Sequence, residues 1–440
     1  MIWLVDDVRD NLSRAWANSL HCRRGRASAS GMERPVAVAT DKVFINARFG
    51  DGTRHSIAVS GGRITAILEA NDRPAASETV DLGGELVVPG FVEGHIHLDT
   101  SFWGDVWRPH KPCTNGFSVH ERVAFQAENL AEAAPMDVRA RNQLDLCISH
   151  GTTRMRSHVM VDGSVGLKSL ETILKVREEY KDLIDIQLVA FPQSGILKSQ
   201  GTPQLLDEAI GIGADVVGGL DPASFDRDVE KHLDVVFGVA EKHGVGVDIH
   251  LHDPNMLGVF EIEQIAARTH TLGMEGHVAV SHAYSLGDVP PDTLKKTADI
   301  LAHSGVAIMT NAPGSRPFPP VAALRRAGVT VFSGNDNIRD SWWPYGDGDM
   351  LNRATTIGYR SGFYTDDELL IAFDMITEAG AKALRLHGYG LRVGAKADFV
   401  TLNTENVQAA VASPPQGRSV YKEGKLIARN GKVLKKRVLT

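Results

Sequence analysis

Val245-Gly246-Val247-Asp248-Ile249-His250-Leu251-His252-Asp253 is the stretch on which the fold turns. Successive side chains of an extended strand point to opposite faces. Val245, Val247, Ile249 and Leu251 therefore share one face, and Asp248, His250 and His252 share the other. The apolar set suits a wall of helices. The polar set suits the axis of a closed barrel, whose functional groups gather at the carboxyl ends of its strands.

The flanks repeat the pattern. Val229–Lys242 carries Val229, Leu233, Val236, Phe237 and Ala240 on one helical face, and Gly244 is placed to end it. Downstream, a helix near Leu257–Thr271, a strand at His277–His282, a helix opening at Pro290 and a strand at Thr330–Gly334 follow in turn, and Asp185–Ala190 is an earlier strand. Repeated strand–helix units predict a parallel sheet, and at this length an α/β protein built on a (β/α)8 TIM-like barrel. The chain ends read differently. Residues 36–49 and 55–68 are strands around the turn Gly50-Asp51-Gly52, with a hairpin at Val59-Ser60-Gly61-Gly62-Arg63. Glu85–Val88, Ala397–Leu402 and Ser419–Ile427 are strands too. The expected organisation is a tail over 1–31, a small β-sandwich from 32–89 and 387–440, and a barrel over 90–386. The tail, with Arg23, Arg24 and Arg26 and then a Ser/Ala run, reads as non-native or loose, with Met32 as the true start.

Composition narrows the function. The chain has 440 residues, 43% hydrophobic and 23% charged, with a net charge of −7 and no basic block. That argues against a nucleic-acid partner. No apolar run reaches the roughly 20 residues of a membrane span. The three cysteines, Cys22, Cys113 and Cys147, show no CxxC spacing, which suits a reducing cytoplasm and disfavours a thiolate metal site. The 17 histidines matter more, because imidazole is the commonest metal ligand.

Four strand ends carry such groups. Phe91-Val92-Glu93-Gly94-His95-Ile96-His97 places His95 and His97 on one face. His250 and His252 end the strand quoted first, His282 ends Val278-Ala279-Val280-Ser281-His282, and Asp336 follows Val331-Phe332-Ser333-Gly334-Asn335. Each has an ordinary explanation by itself, as a satisfied core histidine or an aspartate capping a turn. Their order along one barrel predicts a site for a divalent ion. Imidazole and carboxylate donors suit Zn2+ or Fe2+ over Ca2+ or Mg2+.

These motifs resemble the amidohydrolase superfamily. Val87-Val88-Pro89-Gly90-Phe91-Val92-Glu93-Gly94-His95-Ile96-His97 looks like its first-strand signature, and Val393-Gly394-Ala395-Lys396-Ala397-Asp398-Phe399 resembles its closing signature. The likeness to the cytosine deaminase branch extends over nearly all the chain after Met32. It is carried by His95-Ile96-His97-Leu98-Asp99-Thr100, by Val189-Ala190-Phe191-Pro192-Gln193-Ser194-Gly195-Ile196-Leu197 and by Asp336 in Gly334-Asn335-Asp336-Asn337-Ile338-Arg339-Asp340. The resemblance implies one metal on His95, His97, His250 and Asp336, because the fourth strand, Asp215-Val216-Val217-Gly218-Gly219, lacks a bridging lysine. It implies ring contacts from Gln193, Asn337 and Trp342. Phe191, beside Gln193, is a further substrate-binding candidate, and Trp103, Trp107, Trp342 and Trp343 beside two motif loops are read as an aromatic wall, although plain packing would also account for them.

The branch places a glutamate three residues after the fifth-strand histidine; this chain has Asp253, preceded by His252. His250-Leu251-His252-Asp253 and Gly218-Gly219-Leu220-Asp221-Pro222 are closer to the N-isopropylammelide isopropylamidohydrolases, and pterin deaminases are a further relative. The expected reaction is removal of an exocyclic amine from a cytosine- or pterin-like ring by a metal-bound hydroxide, releasing ammonia. Asp336 would carry the water proton, His282 would stabilise the tetrahedral centre, and Asp253 or His252 would protonate a ring nitrogen. One alternative is release of an alkylamine from a triazine ring. Another is a non-catalytic protein on the same fold, which the retention of all five metal-face positions disfavours. The partner is a small heterocycle met by loops 101–118 and 340–350, and the resemblance leaves room for a homo-oligomer.

Overall fold

The structure, a computed structural model, describes residues 40–434. The expectations for the tail and for Cys22 lie outside the described residues.

Five strands come first among the described residues: β1 (Thr40–Arg48), β2 (Arg54–Ser60), β3 (Arg63–Glu69), β4 (Ala76–Asp81) and β5 (Leu86–Pro89). Eight parallel strands follow, alternating with helices: β6 (Phe91–Ile96), β7 (Thr152–Met160), β8 (Asp185–Phe191), β9 (Val216–Leu220), β10 (Gly246–Leu251), β11 (Val278–His282), β12 (Ala307–Met309) and β13 (Val331–Phe332). The chain closes with β14 (Phe399–Leu402), β15 (Arg418–Lys422), β16 (Lys425–Arg429) and β17 (Lys432–Val433). Two barrel strands, β7 and β12, have no counterpart in the sequence reading. β12 is only three residues long, and β7 carries Arg154 and Arg156 among its buried positions, which masks it as a core strand.

The eight strands run in chain order, and the first and last meet to shut a TIM-like barrel. Gly94 N–H donates to Ser333 O at 3.0 Å and Asp336 N–H to His95 O at 2.7 Å. Glycine is needed on both sides of this seam. A Cβ on Gly94 would stand 2.5 Å from Ser333 O, and one on Gly334 would stand 2.4 Å from the His95 nitrogen. Beneath it, the buried Glu93 carboxyl accepts from Asn335 N at 2.7 Å and from Asn335 Nδ2 at 2.6 Å.

The strands from both chain ends form one nine-stranded sheet in which β5 pairs antiparallel with β14. Its core stacks Phe399 on Tyr421, with Phe44 edge-on to both. Polar groups fasten this sheet to the barrel. Arg154 and Lys422 both contact Asp185 and Asp398. Arg418 on β15 holds Asp349 through two hydrogen bonds of 2.7 and 2.6 Å, both side chains buried. Asp349 also caps the helix Met350–Ser361 through Leu351 N.

Removing one partner of a buried ion pair leaves the other charge uncompensated, at a cost of about 3–5 kcal/mol. Asp349→Ala is expected to lower unfolding free energy by about that amount, measured by urea denaturation. A loss within the scatter of surface substitutions would show that the pair does not fasten the sheet.

Candidate active site

At the carboxyl mouth of the barrel, strand ends deliver imidazoles from four directions. His95, His97 and His250 can each present a nitrogen within 4.8 Å of the others, and so can the set His95, His282 and Asp336. Asp336 Oδ1 lies 3.4 Å from His97 Nε2 and 3.6 Å from His95 Nε2, while Oδ2 lies 4.0 Å from His282 Nδ1. His95 Nε2, both ring nitrogens of His250 and His282 Nδ1 are buried with no partner within the protein. Such groups each cost about 1–3 kcal/mol when left unmatched. Burial, and then the neighbouring imidazoles, hold His95 and His250 well below the usual histidine range. Burial likewise takes His282 down to about 3. Neutral imidazoles with free lone pairs, beside a carboxylate, are the donor set a divalent ion needs, so these residues fit one.

The tautomer of His95 is set from behind. Ser281 Oγ gives its one proton to Asp248 Oδ1 at 2.7 Å, so its oxygen must accept from His95 Nδ1 at 2.9 Å, leaving Nε2 as a lone pair. Arg156 holds the other Asp248 oxygen at 2.9 Å. His158, on β7, packs over His95 with ring centroids 3.9 Å apart; neither of its nitrogens is hydrogen-bonded, and Nε2 lies 3.7 Å from Asp248 Oδ2. Sequence reasoning missed His158, although Arg154, Arg156 and His158 do alternate along β7.

His252 stacks on His282 at 4.6 Å and bonds Asp221 through Nδ1 at 2.9 Å, so Nε2 is its remaining nitrogen. Asp253 lies elsewhere. It lines an adjoining groove with Pro254 and Asp288 rather than the cavity at the imidazoles, and its Oδ2 accepts from Ser224 N at 3.1 Å. Behind it, Glu261 is fully buried, and burial followed by the charge of Asp253 pushes its carboxyl up to about 9. Glu261 therefore keeps its proton beside the Asp253 carboxyl.

A small cavity meets the imidazoles. His97, His250, His252, His282, Asp336, Phe191, Gln193, Asn337 and Trp342 all line it, with Thr100, Gln126 and Leu220. Its free space of about 20 Å3 admits a water molecule. Phe191 stacks on His250 at 4.1 Å. The sequence reading named Trp103 and Trp107 as part of an aromatic wall, but neither lines this cavity, and Trp107 is largely exposed.

Amide orientations in the cavity follow from one donor. Trp342 Nε1 can only donate, and it donates to Gln126 Oε1 at 2.7 Å. Gln126 Nε2 then donates to Gln193 Oε1 at 2.9 Å, and Gln193 Nε2 returns a long bond to Gln126 Oε1 at 3.5 Å, which leaves its second N–H as the free donor. Asn337 Nδ2 donates to Asp340 Oδ2 at 2.6 Å, which leaves Asn337 Oδ1 as the free acceptor. Gln126 is the one buried residue of the helix Val119–Ala131 laid over the mouth, and no sequence pattern marks it. The backbone is also unusual here: Asp221, His282 and Asp336 have φ of 37°, 75° and 60°, left-handed values that cost non-glycine residues about 1–3 kcal/mol each and gather at functional sites.

The Amidohydrolase family model matches residues 78–428. An N-isopropylammelide isopropyl amidohydrolase of Pseudomonas sp. (strain ADP) is 35% identical over 381 residues, covering 86% of this chain and 94% of that protein. Among solved structures, an N-isopropylammelide isopropylaminohydrolase from Burkholderia multivorans superposes with a TM-score of 0.85 at 38% identity, over 90% of this chain and 100% of the other. A 5-methylcytosine deaminase from Klebsiella pneumoniae gives a TM-score of 0.78 at 28% identity, over the same shares.

Glu261 yields a stability prediction with a definite sign. Its folded pKa, about 9, lies above the unfolded value of 4.5, so unfolding releases a proton between those limits. Its contribution is full below 4.5 and is lost as pH rises towards 9. Glu261→Gln should therefore gain stability relative to the parent between pH 5 and pH 9, read from urea midpoints. A difference independent of pH would mean that Glu261 is ionised in the folded protein.

Proposed function

Because the chain belongs to the amidohydrolase family, we propose that it hydrolyses the exocyclic C–N bond of an oxo-substituted nitrogen heterocycle, with one divalent ion, Zn2+ or Fe2+, on His95, His97, His250 and Asp336. The observation that carries this reading is the convergence of unpartnered buried imidazole nitrogens and a carboxylate on the cavity that Gln193, Asn337 and Trp342 also line. Such an ion brings the pKa of a coordinated water to about 7 and so supplies a nucleophile at neutral pH.

The residues around it have separable tasks. Asp336, held by Asn311 Nδ2 at 2.9 Å, accepts the proton of the water that adds to the ring carbon and returns it to the departing nitrogen. His282 faces the carbon as it becomes tetrahedral. His252 protonates the ring nitrogen through Nε2, with Asp221 on Nδ1 fixing the orientation of the ring. His252 is favoured over Asp253 because it lines the cavity, whereas Asp253 lies outside it, beside the protonated Glu261. The free donor on Gln193 and the free acceptor on Asn337 suit a lactam edge, in which a ring carbonyl meets Gln193 and a ring N–H meets Asn337. Asp340 turns Asn337 this way, and Trp342 offers its face to the ring because Gln126 takes its N–H.

Ammonia is the leaving group of the first reading. Release of an alkylamine is favoured by a specific observation: a second chamber, about 630 Å3, shares His252, Asp336, Asn337 and Trp342 with the inner cavity. A substituted amine leaving across Asp336 has room there.

Assays of cytosine, isocytosine, pterin, guanine-like rings and N-alkyl ammelides, scored separately for ammonia and amine, should find one class turned over. On that substrate His252→Asn should lower kcat by about 10²–10⁴-fold, the usual worth of a general acid, and Asp253→Asn by less. The reverse order would move the proton shuttle to Asp253. Full activity in metal-replete Asp336→Ala would remove the mechanism altogether. In a chelator competition with Zn2+, Ser281→Ala and Asp248→Asn should each weaken metal binding by about 10–100-fold. Unchanged affinity would show that the serine–aspartate chain does not orient His95.

A further inference from the structure

The outer chamber is lined by three arginines, Arg316, Arg353 and Arg360, and none forms an ion pair among the described residues. Arg353 donates to Asn311 O at 2.7 Å and Asn335 O at 3.3 Å, and its buried Nε has no partner. Arg360 donates to Pro313 O and Arg316 O, both at 2.9 Å. Carbonyl oxygens orient a guanidinium but leave its charge uncancelled. Among the described residues Arg316 donates to no acceptor. It lies flat on Phe117, with the guanidinium carbon 3.3 Å from the ring centroid, and Tyr284 is 5.8 Å away.

Two acids, Asp336 and Asp347, line the chamber with the three arginines, and both act electrostatically on Arg353, so the positive excess falls on Arg316 and Arg360. Asp347 accepts from Asp349 N at 3.0 Å and from Asn352 Nδ2 at 2.5 Å, and Asp336 is committed to the imidazoles and Asn311. A half-buried cation without a counter-charge, as Arg316 is, is open to an oxyanion partner. The chain as a whole is negative, at −7, so the cluster is local rather than a general excess of base. Stacking on an aromatic face leaves the edge N–H groups of a guanidinium free, in the fork that matches an oxyanion.

We propose that this chamber is an anion subsite, and that the substrate carries a carboxylate substituent held by Arg316 while its ring lies over Asp336. The inference rests on the heterocycle reading above and narrows its substrate class. The ring occupies the junction at His252, Asn337 and Trp342, and the substituent extends towards Phe117 and Arg316. Phosphate shares this oxyanion chemistry, so the test separates the two.

Binding to the metal-replete protein is measured by calorimetry for uracil and uracil-6-carboxylate, which are unreactive lactams. Benzoate and phenyl phosphate, each against neutral benzamide, are measured beside them. Uracil-6-carboxylate should bind about tenfold or more tightly than uracil, the usual worth of a charge-assisted hydrogen bond. The ratio should shrink with added NaCl and fall to near parity in Arg316→Met. Benzoate should bind above benzamide and above phenyl phosphate; the opposite order would make phosphate the ligand and overturn the carboxylate. Equal binding of each charged and neutral pair in the parent protein overturns the subsite, as does a preference that survives Arg316→Met. This parent comparison decides the matter even if the variant fails to fold. If neither lactam binds but benzoate does so in an Arg316-dependent way, the subsite stands and the heterocycle reading falls.

Discussion

The seam between β6 and β13 is the constraint on which the rest of the molecule depends. Glu93, Gly94 and His95 on one side meet Ser333, Asn335 and Asp336 on the other, through backbone bonds and the Glu93–Asn335 clasp. Burial pushes the Glu93 carboxyl up to about 7, against the pull of its bonds to Asn335. The seam closes the barrel, and it also brings His95 and His97 within reach of Asp336 from the far end of the sheet. Architecture and chemistry are thus completed in one step. The glycines there are required because a methyl group on either would wedge the first strand from the last.

Closure gathers groups that repel one another. His95, His97, His158, His250 and His282 crowd together with several nitrogens unmatched, over a backbone bent into left-handed conformations at His282 and Asp336. Stability has to come from elsewhere. The packed layers between strands and helices provide it, as do the charged network at Arg154, Asp185, Asp398 and Lys422 and the Arg418–Asp349 pair that fasten the terminal sheet. The molecule separates a robust base from a costly mouth. A cation among the imidazoles would relieve part of that cost, which links occupancy of the site to persistence of the fold.

Much of this was legible in the sequence because barrel strands advertise their ends. The alternation of Val247, Ile249 and Leu251 with Asp248, His250 and His252 identified the interior face, and the HxH of His95 and His97 fixed the first strand. What escaped depends on contacts remote in sequence. Gln126 reaches Gln193 and Trp342 from a helix with no pattern of its own. The roles of Ser281 and Asp248 exist only once β10 lies beside β11. Asp253 and His252 are adjacent in the chain and looked interchangeable, but the turn after β10 sends them to different surroundings. β7 escaped because arginines seldom mark a core strand, and here they are neutralised by Asp185 on the adjacent β8 and by Asp248 on β10 across the barrel.

The helix Val119–Ala131 is held to the mouth by Gln126, by bonds from Arg122 and Asn129 to Ser341 and by His120 stacked on Phe225, and Gln126 is its one buried side chain. Were the helix to lift, Trp342 would lose the acceptor of its indole proton and Gln193 its lock in the same movement. Admission of a guest and loss of the pattern that reads it are then one event. Traffic through the entrance and discrimination between guests cannot be tuned separately, and a tighter latch at Gln126 gains fidelity while it slows departure.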